Sequence, residues 1–168
     1  MFSEIGTVPQ SACDTDVMVL MAIHTLNESP IYLDYEDHGY EPDFCHVSAK
    51  HAALQNGGLR IHGWAVWQYN KMALAEFHSV WERPDGVLVD VTPPKFGAKR
   101  ILFIPDSRLS IVDHGSAQAL YTDRCSRSEE PYWYRGAPTQ EVEWGMPNNN
   151  AALVVYCEKL GLPDTSMT

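Results

Sequence analysis

The chain contains, in this order, three residue types that cooperate in nucleophilic catalysis: Cys45, His78 and Asp90. Cys45 falls in the first turn of a predicted helix, where the partial positive charge of the helix N-terminus lowers a thiol pKa and favours the thiolate. The His78 imidazole would activate the thiol and later protonate the leaving group, while the Asp90 carboxylate would orient the ring and stabilise its protonated form. Backbone N–H groups at the helix start would stabilise the oxyanion. The pattern predicts hydrolysis or transfer of an acyl group, from an amide or peptide bond, with no cofactor.

His78 and Asp90 lie on the two arms of a predicted β-hairpin over residues 75–93. Its centre, Arg83-Pro84-Asp85-Gly86, fits a type I turn in which the glycine takes the left-handed conformation as a bulge. Val80 then lies opposite Asp90, and alternation across the sheet puts His78 and Asp90 on one face as diagonal neighbours within side-chain reach. An even-numbered loop would place them on opposite faces, so the predicted site depends on the turn type.

The two faces of this hairpin differ in chemistry. The packing face is apolar apart from one serine and consists of Phe77, Ser79, Trp81, Val87, Val89 and Val91. The other face concentrates the titratable groups and consists of Glu76, His78, Val80, Leu88, Asp90 and Thr92. The aromatic and β-branched content of the preceding strand, with Trp64, Val66 and Trp67, indicates a sheet that is covered on both faces. Ionisable groups on a covered face need partners, which favours a functional site there.

The predicted fold is α+β, in a single domain over residues 1–168. A mainly antiparallel sheet of about four or more strands packs against a central helix from Phe44 to Gln55, for which Asp43 is the N-cap and Phe44, Val47, His51 and Leu54 form one stripe. The predicted strands are Leu59–Tyr69, Met72–Glu82, Val87–Val91 and Arg100–Ile104. An N-terminal helix is predicted from Asp14 to Leu26 and a C-terminal helix from Asn148 to Leu160. Residues 27–41 read as a loop, and residues 106–146 as an irregular segment.

The order of a helix Cys, a strand His and a next-strand Asp resembles the transglutaminase-like and papain-like cysteine superfamily over residues 42–93. In transglutaminase-like proteins the later motifs typically read His-x-Trp and Asp-Pro-Thr; here the chain reads His78-Ser79-Val80-Trp81 and Asp90-Val91-Thr92-Pro93. The resemblance implies a cysteine nucleophile in a catalytic triad. The longer stretch from Gly63 to Pro93 is also similar to segments of microbial proteins, a likeness that implies no function.

Two other functions remain open at this point. A metal-dependent enzyme is the first, because His62, Glu76, His78 and Asp90 could share one sheet face if the strand Leu59–Tyr69 pairs alongside, and such ligands suit Zn, Fe or Mn. The second is a ligand-binding module with an aromatic groove. In either an enzyme or a binding module, Trp64, Glu76 and Trp81 are the candidate substrate-binding residues.

Composition limits the partners. The 168 residues carry a formal net charge of −10, which disfavours nucleic acid or an anionic membrane as the main partner and favours a neutral or cationic small molecule or peptide as substrate. No apolar run approaches the ~20 residues that span a bilayer, and no basic, signal-like start is present. The four cysteines show no CxxC spacing, so free thiols and a cytoplasmic location are expected. The oligomeric state is left open.

Overall fold

The computed structural model describes residues 5–70, 72–113, 118–123, 132–134, 137–139, 142–147 and 151–163. Three α-helices lie in this part of the chain: α1 (Thr15–Ile23), α2 (Cys45–Asn56) and α3 (Ala151–Lys159). An antiparallel five-stranded sheet has the order β1-β5-β2-β3-β4, formed by β1 (Ile31–Asp34), β2 (Leu59–Tyr69), β3 (Met72–Glu82), β4 (Leu88–Val89) and β5 (Arg100–Pro105). The α+β class is confirmed.

Two smaller sheets follow along the chain. One is three-stranded with the order β10-β7-β6 and the other pairs β8 with β9. Their strands are β6 (Val112–Asp113), β7 (Gln118–Asp123), β8 (Tyr132–Tyr134), β9 (Ala137–Thr139) and β10 (Val142–Pro147). The prediction that residues 106–146 are irregular is therefore wrong over these five strands.

The strands that surround the candidate site match the prediction closely. The predicted bounds of β2 and β3 are confirmed at both ends, and β5 is one residue longer than expected. β4 is shorter than the predicted Val87–Val91 because the chain leaves β3 after Val89. Asp90 instead forms a parallel bridge with Tyr35 at the end of β1, where the Asp90 N–H donates to the Asp34 carbonyl at 3.1 Å. The two outer strands of the sheet thus meet at Asp90, which fixes the backbone that carries its carboxylate.

The loop predicted over residues 27–41 contains β1, which the sequence analysis missed. Only Leu33 of its four residues is buried, so the segment lacks the alternation that signals a strand. Its hydrogen bonds come from β5, about seventy residues further along the chain (Leu33 pairs with Ile101). Long-range pairing, not local pattern, makes this segment a strand.

Helix α2 begins at Cys45, with Phe44 as its N-cap. The prediction that Asp43 is the cap is wrong, because Asp43 has a left-handed backbone (φ 69°) and no side chain caps this helix. The predicted apolar stripe is also wrong at Leu54, which is 62% exposed. The buried face is built from small residues and one valine, which let the helix approach the sheet closely: Val47, Ser48, Ala49 and Ala52.

The other two helices end before their predicted last residues. α1 ends at Ile23 and not at Leu26, and α3, described over Ala151–Lys159, ends one residue before Leu160. The predicted start of the C-terminal helix, residues 148–150, lies outside the described residues. None of the helices in the described part of the chain has the length and apolar character that crossing a membrane requires.

Apolar side chains are buried on both faces of the five-stranded sheet. On one face Trp64, Val66 and Phe77 pack with residues of the helices, including Val17 and Tyr156. The other face forms a separate cluster of Leu33, Ala65, Trp67, Val80, Ile101 and Phe103. Polar side chains that point into either layer must therefore find partners inside the protein.

Candidate active site

The hairpin between β3 and β4 has the predicted turn. The Gly86 N–H donates to the Arg83 carbonyl at 2.8 Å, the Arg83 N–H donates to the Val87 carbonyl at 2.9 Å, and Gly86 has a φ of 82°. In the resulting register Trp81 pairs with Val89. This register keeps the predicted side-chain alternation, so the position after Val89 faces the same layer as His78.

The structure brings His78 and Asp90 together. Nε2 of His78 lies 3.1 Å from Oδ1 of Asp90, and the side chains are 15% and 0% exposed. The same carboxylate oxygen accepts the Thr92 N–H at 3.1 Å, whereas Oδ2 has no hydrogen-bond partner among the described residues. Because the backbone of Asp90 is also tied to the end of β1, the carboxylate is held rigidly against the ring.

Cys45 completes the arrangement. It is the first residue of α2 and is half-buried, and the charges and hydrogen bonding of the His46 and His78 imidazoles both lower the pKa of its thiol. Since Asp90 occupies Nε2 of His78, the ring nitrogen that is left for the sulfur is Nδ1. The thiol, the imidazole and the carboxylate therefore form one continuous chain of hydrogen bonds.

The charges of this chain are mutually supporting. Burial alone would raise the pKa of Cys45, but the neighbouring imidazoles of His46 and His78 bring the thiol pKa well below its ordinary value. Burial alone would lower the pKa of His78, but the Asp90 carboxylate and then Cys45 raise that pKa well above its ordinary value. Both shifts favour the charged forms of the pair, a thiolate on Cys45 and an imidazolium on His78.

A second polar cluster, formed by His46, Ser79, His62 and Arg60, lies beside Cys45 on the packing face. The Ser79 hydroxyl is fully buried and lies 2.6 Å from Nδ1 of His46 and 2.7 Å from Nδ1 of His62. Arg60 donates to the His46 carbonyl at 3.1 Å. Burial, then the charges of Arg60 and His46, lower the pKa of His62 to about 3, so this ring is neutral at physiological pH.

The sequence analysis did not identify this cluster as part of the site. One signal was present, because Ser79 is the only polar residue on the packing face of the hairpin. The missing step was the register of β2 on β3, which pairs His62 with Ser79. His46, next to Cys45 in the chain, then comes within hydrogen-bond distance of the same hydroxyl.

The tryptophans predicted to bind substrate belong to the core. Trp64 is 0% exposed and donates its indole N–H to Asp106 at 3.0 Å, and Trp81 is 5% exposed and donates to the Gly57 carbonyl at 2.9 Å. Their assignment as substrate-binding residues is wrong, because rings buried in this way cannot line an open groove. Glu76 is partly exposed, and its two oxygens accept hydrogen bonds from Trp67 at 3.2 Å and Lys95 at 2.6 Å.

The four residues of the metal hypothesis do not share a face. His62 pairs with Ser79 across β2 and β3, so its side chain points to the opposite side of the sheet from Glu76 and His78. That part of the prediction is wrong, because the antiparallel pairing of β2 with β3 puts His62 opposite Ser79 and not on the face of His78. Among the described residues no group of three or more His, Cys, Asp or Glu side chains is arranged to hold a metal ion.

Comparison with protein-family models, with curated proteins and with solved structures found no match for this chain. The chemistry and geometry of the described residues therefore carry the functional assignment.

Proposed function

We propose that this protein is a cysteine hydrolase or acyltransferase that uses Cys45, His78 and Asp90 as a catalytic triad on an amide-like or peptide-like bond. The observation that carries the proposal is the hydrogen-bonded chain from the Cys45 thiol through His78 to the buried Asp90 carboxylate. A thiol at a helix start that is paired with an imidazole has the electrostatic environment of a reactive cysteine, whereas a structural cysteine is surrounded by apolar groups.

The first half of the reaction forms a thioester. The Cys45 thiolate attacks the acyl carbon, a C–S bond forms, and the carbonyl electron pair moves to the oxygen. Collapse of this tetrahedral species breaks the bond to the leaving group, which takes the proton from Nδ1 of His78. The backbone N–H of Cys45, at the first position of α2, can donate to the oxyanion, whereas the Val47 and Ser48 N–H groups donate to the Phe44 carbonyl.

The second half releases the acyl group. Water in a hydrolase, or an amine in a transferase, attacks the thioester and gives its proton to His78. The C–S bond breaks, and the thiolate and the imidazolium are restored. Asp90 stabilises the imidazolium of the free enzyme and fixes the ring so that Nδ1 faces the sulfur throughout the cycle.

The same features support membership of the transglutaminase-like and papain-like superfamily. The nucleophile starts a helix, and the histidine and the acid stand on neighbouring strands of an antiparallel sheet. α2 lies against β2 and β3, which fits the central helix of the predicted fold, with α1 and α3 as its N- and C-terminal helices. A neutral or cationic small molecule or peptide remains the expected substrate, because the net charge is −10, and a cytoplasmic location is still a prediction.

The reactivity of Cys45 towards iodoacetamide tests the proposal. The rate constant is measured against pH by peptide mapping, which separates Cys45 from the exposed Cys13 in the same molecule. We expect Cys45 to react fast well below the ordinary thiol pKa of about 8.5, and Cys13 to follow an ordinary thiol profile. His78→Ala should return the Cys45 profile towards that of Cys13, because the imidazolium that holds the thiolate is lost.

Formation of an acyl-enzyme is the second measurement. Incubation with p-nitrophenyl acetate should add one acetyl group to Cys45, detected by mass spectrometry, and Cys45→Ala should abolish the adduct. A Cys45 that is no more reactive than Cys13 at any pH, or that is alkylated but never acylated, would contradict the proposal. The first of those results would favour a non-catalytic binding module.

A further inference from the structure

The Cys45 sulfur has two imidazole neighbours, and the triad uses only one of them. His46 is hydrogen-bonded to the thiol, and its Nδ1 is occupied by the Ser79 hydroxyl at 2.6 Å. The nitrogen of His46 that faces the sulfur is therefore Nε2. The ring is also held against Phe77, with 4.5 Å between the ring centroids. His46 is thus locked in place by two residues of β3.

The Cys45 thiolate and the Ser79 hydroxyl together fix which nitrogen of His46 carries a proton. Its single proton lies between two ring nitrogens, Nδ1 of His46 and Nδ1 of His62. A thiolate only accepts hydrogen bonds, so His46 must present Nε2–H to Cys45, and a neutral His46 must then accept the Ser79 proton at Nδ1. Ser79 in turn accepts the N–H of His62. A second proton on His46 would reverse the direction at Ser79 but leave Nε2–H in place.

We propose that His46 is a catalytic residue whose Nε2–H donates to the Cys45 thiolate in the resting protein and to the oxyanion while Cys45 is being acylated. Ser79 and His62 are positioning residues that hold this ring and its tautomer. The inference rests on the proposed acyl chemistry of Cys45 and names the side-chain donor of its oxyanion site.

Movement of charge during acylation explains why one donor can serve both states. Before attack the negative charge is on sulfur; after attack it is on an oxygen bonded to the carbon that the sulfur has joined. A donor beside the sulfur lies close to both positions, and a fixed donor needs no reorganisation when the charge moves. His78 cannot fill this role, because its Nδ1 proton goes to the leaving group. The pKa of His62, about 3, keeps that ring neutral and the array at Ser79 intact throughout the physiological range.

Two probes separate oxyanion stabilisation from thiol activation. Iodoacetamide reacts at a tetrahedral carbon and forms no oxyanion, whereas p-nitrophenyl acetate forms one and releases p-nitrophenolate, which leaves without a proton from His78. Rate constants for both probes are measured at the same thiolate fraction, taken from each variant's own alkylation profile. We expect His46→Ala to lower acylation about 10²–10³-fold more than alkylation, as for the loss of one oxyanion donor.

Further variants separate the donor from a structural effect. His46→Gln keeps an N–H at the end of the side chain and should recover part of the acylation rate, and Ser79→Ala should lower acylation less than His46→Ala does. His51→Ala is the matched control, because His51 lies on the same helix and its ring interacts with the Tyr40 hydroxyl at 2.8 Å and with the backbone of Leu160, not with Cys45 or Ser79. It should leave the ratio of the two rates unchanged.

The rate constants for acylation and alkylation decide whether His46 donates to the oxyanion. Equal losses of acylation and alkylation in His46→Ala and Ser79→Ala would overturn it, since His46 would then act only on the thiol. Unchanged rates in both variants would also overturn it, while acylation of the wild type would still support the proposed function. A wild type that is alkylated fast but never acylated would overturn both. If His46→Ala does not fold by circular dichroism, the ratio for Ser79→Ala against His51→Ala decides the question.

Discussion

At the scale of single residues, Asp90 is the group whose role is most sharply defined by its surroundings. Asp90→Asn keeps the size of the side chain but removes the charge that raises the pKa of His78. The pKa of His78 should fall, so less imidazolium faces the thiolate at neutral pH. We expect alkylation of Cys45 at mildly acidic pH to drop less than in His78→Ala, while acylation drops by at least about tenfold because the ring is no longer held in the productive tautomer.

Asp85→Asn is the control for this substitution. Asp85 lies in the turn of the same hairpin, has a 56% exposed side chain and pairs with Arg83. Its loss should leave both rates unchanged. If Asp90→Asn also acylates at the wild-type rate, the carboxylate has only a structural role, through the hydrogen bond that it accepts from the Thr92 N–H.

The residue types of the triad could be predicted from the sequence because each depends on local structure: a helix start for Cys45, and a hairpin turn for His78 and Asp90. His46 could not, because its role follows from a hydroxyl on β3 that is shared with a ring on β2. The side of the sheet on which His62 lies is set by the pairing of Tyr69 with Met72, which the predicted bounds of the two strands already imply. A shift of one residue would have placed His62 beside His78.

At the scale of elements, the close approach of β2 and β5 sets the position of the strand that carries His78. Gly63 pairs with His78 on one side and with Pro105 on the other. A Cβ atom at Gly63 would lie 2.3 Å from the Ile104 carbonyl oxygen and 2.5 Å from the Phe103 ring. Gly63→Ala should therefore lower the free energy of unfolding by about 1–3 kcal/mol, as overpacking does, and slow the alkylation of Cys45 because β2 and β3 shift.

Gly39→Ala serves as the comparison for this glycine. Gly39 has a φ of 74° and a Cβ there would meet no atom within 4 Å, so the substitution costs only the left-handed backbone, about 1–2 kcal/mol. Both variants can lose stability, but only Gly63→Ala should change Cys45 reactivity. Equal reactivity in the two, measured at the same fraction folded, would show that the site does not depend on the spacing of β2 and β5.

Elements with a strong local pattern were predictable, and those defined by distant partners were not. β2 and β3 have long alternating or apolar runs, and a turn signal follows β3. The end of β4 at Val89 and the position of β1 depend on each other, because Asp90 pairs with Tyr35 at the end of β1 and not with β3. The cap of α2 differs from the prediction because Asp43 adopts a left-handed backbone, and its side chain makes no capping hydrogen bond.

At the scale of the whole molecule, the thiolate–imidazolium pair should shape the pH dependence of stability. The raised pKa of His78 contributes stability that is complete below the unfolded pKa of about 6.5 and is lost as the pH rises towards the folded value. The lowered pKa of Cys45 contributes stability that is complete above the unfolded pKa of about 8.5 and is lost as the pH falls towards the folded value. Between about pH 6.5 and 8.5 the two changes offset each other, because the folded and unfolded pairs hold the same number of protons.

This contribution is isolated by a triple variant, Cys45→Ala with His78→Gln and Asp90→Asn, which removes the three side chains of the triad. The two amides of the variant can still hydrogen-bond to each other, so the packing at this position is kept. The free energy of unfolding, from urea denaturation, is measured for both proteins across this range. Their difference should be flat between about pH 6.5 and 8.5 and should shrink on either side by up to about 1.4 kcal/mol per pH unit. The lowered pKa of His62 makes both proteins lose stability as the pH falls below about 6.5, but this loss is the same in each and cancels. A difference that instead falls steadily as the pH rises across the neutral range would mean that the folded pair holds one proton more than the unfolded pair, so that Cys45 would be a thiol beside a protonated His78.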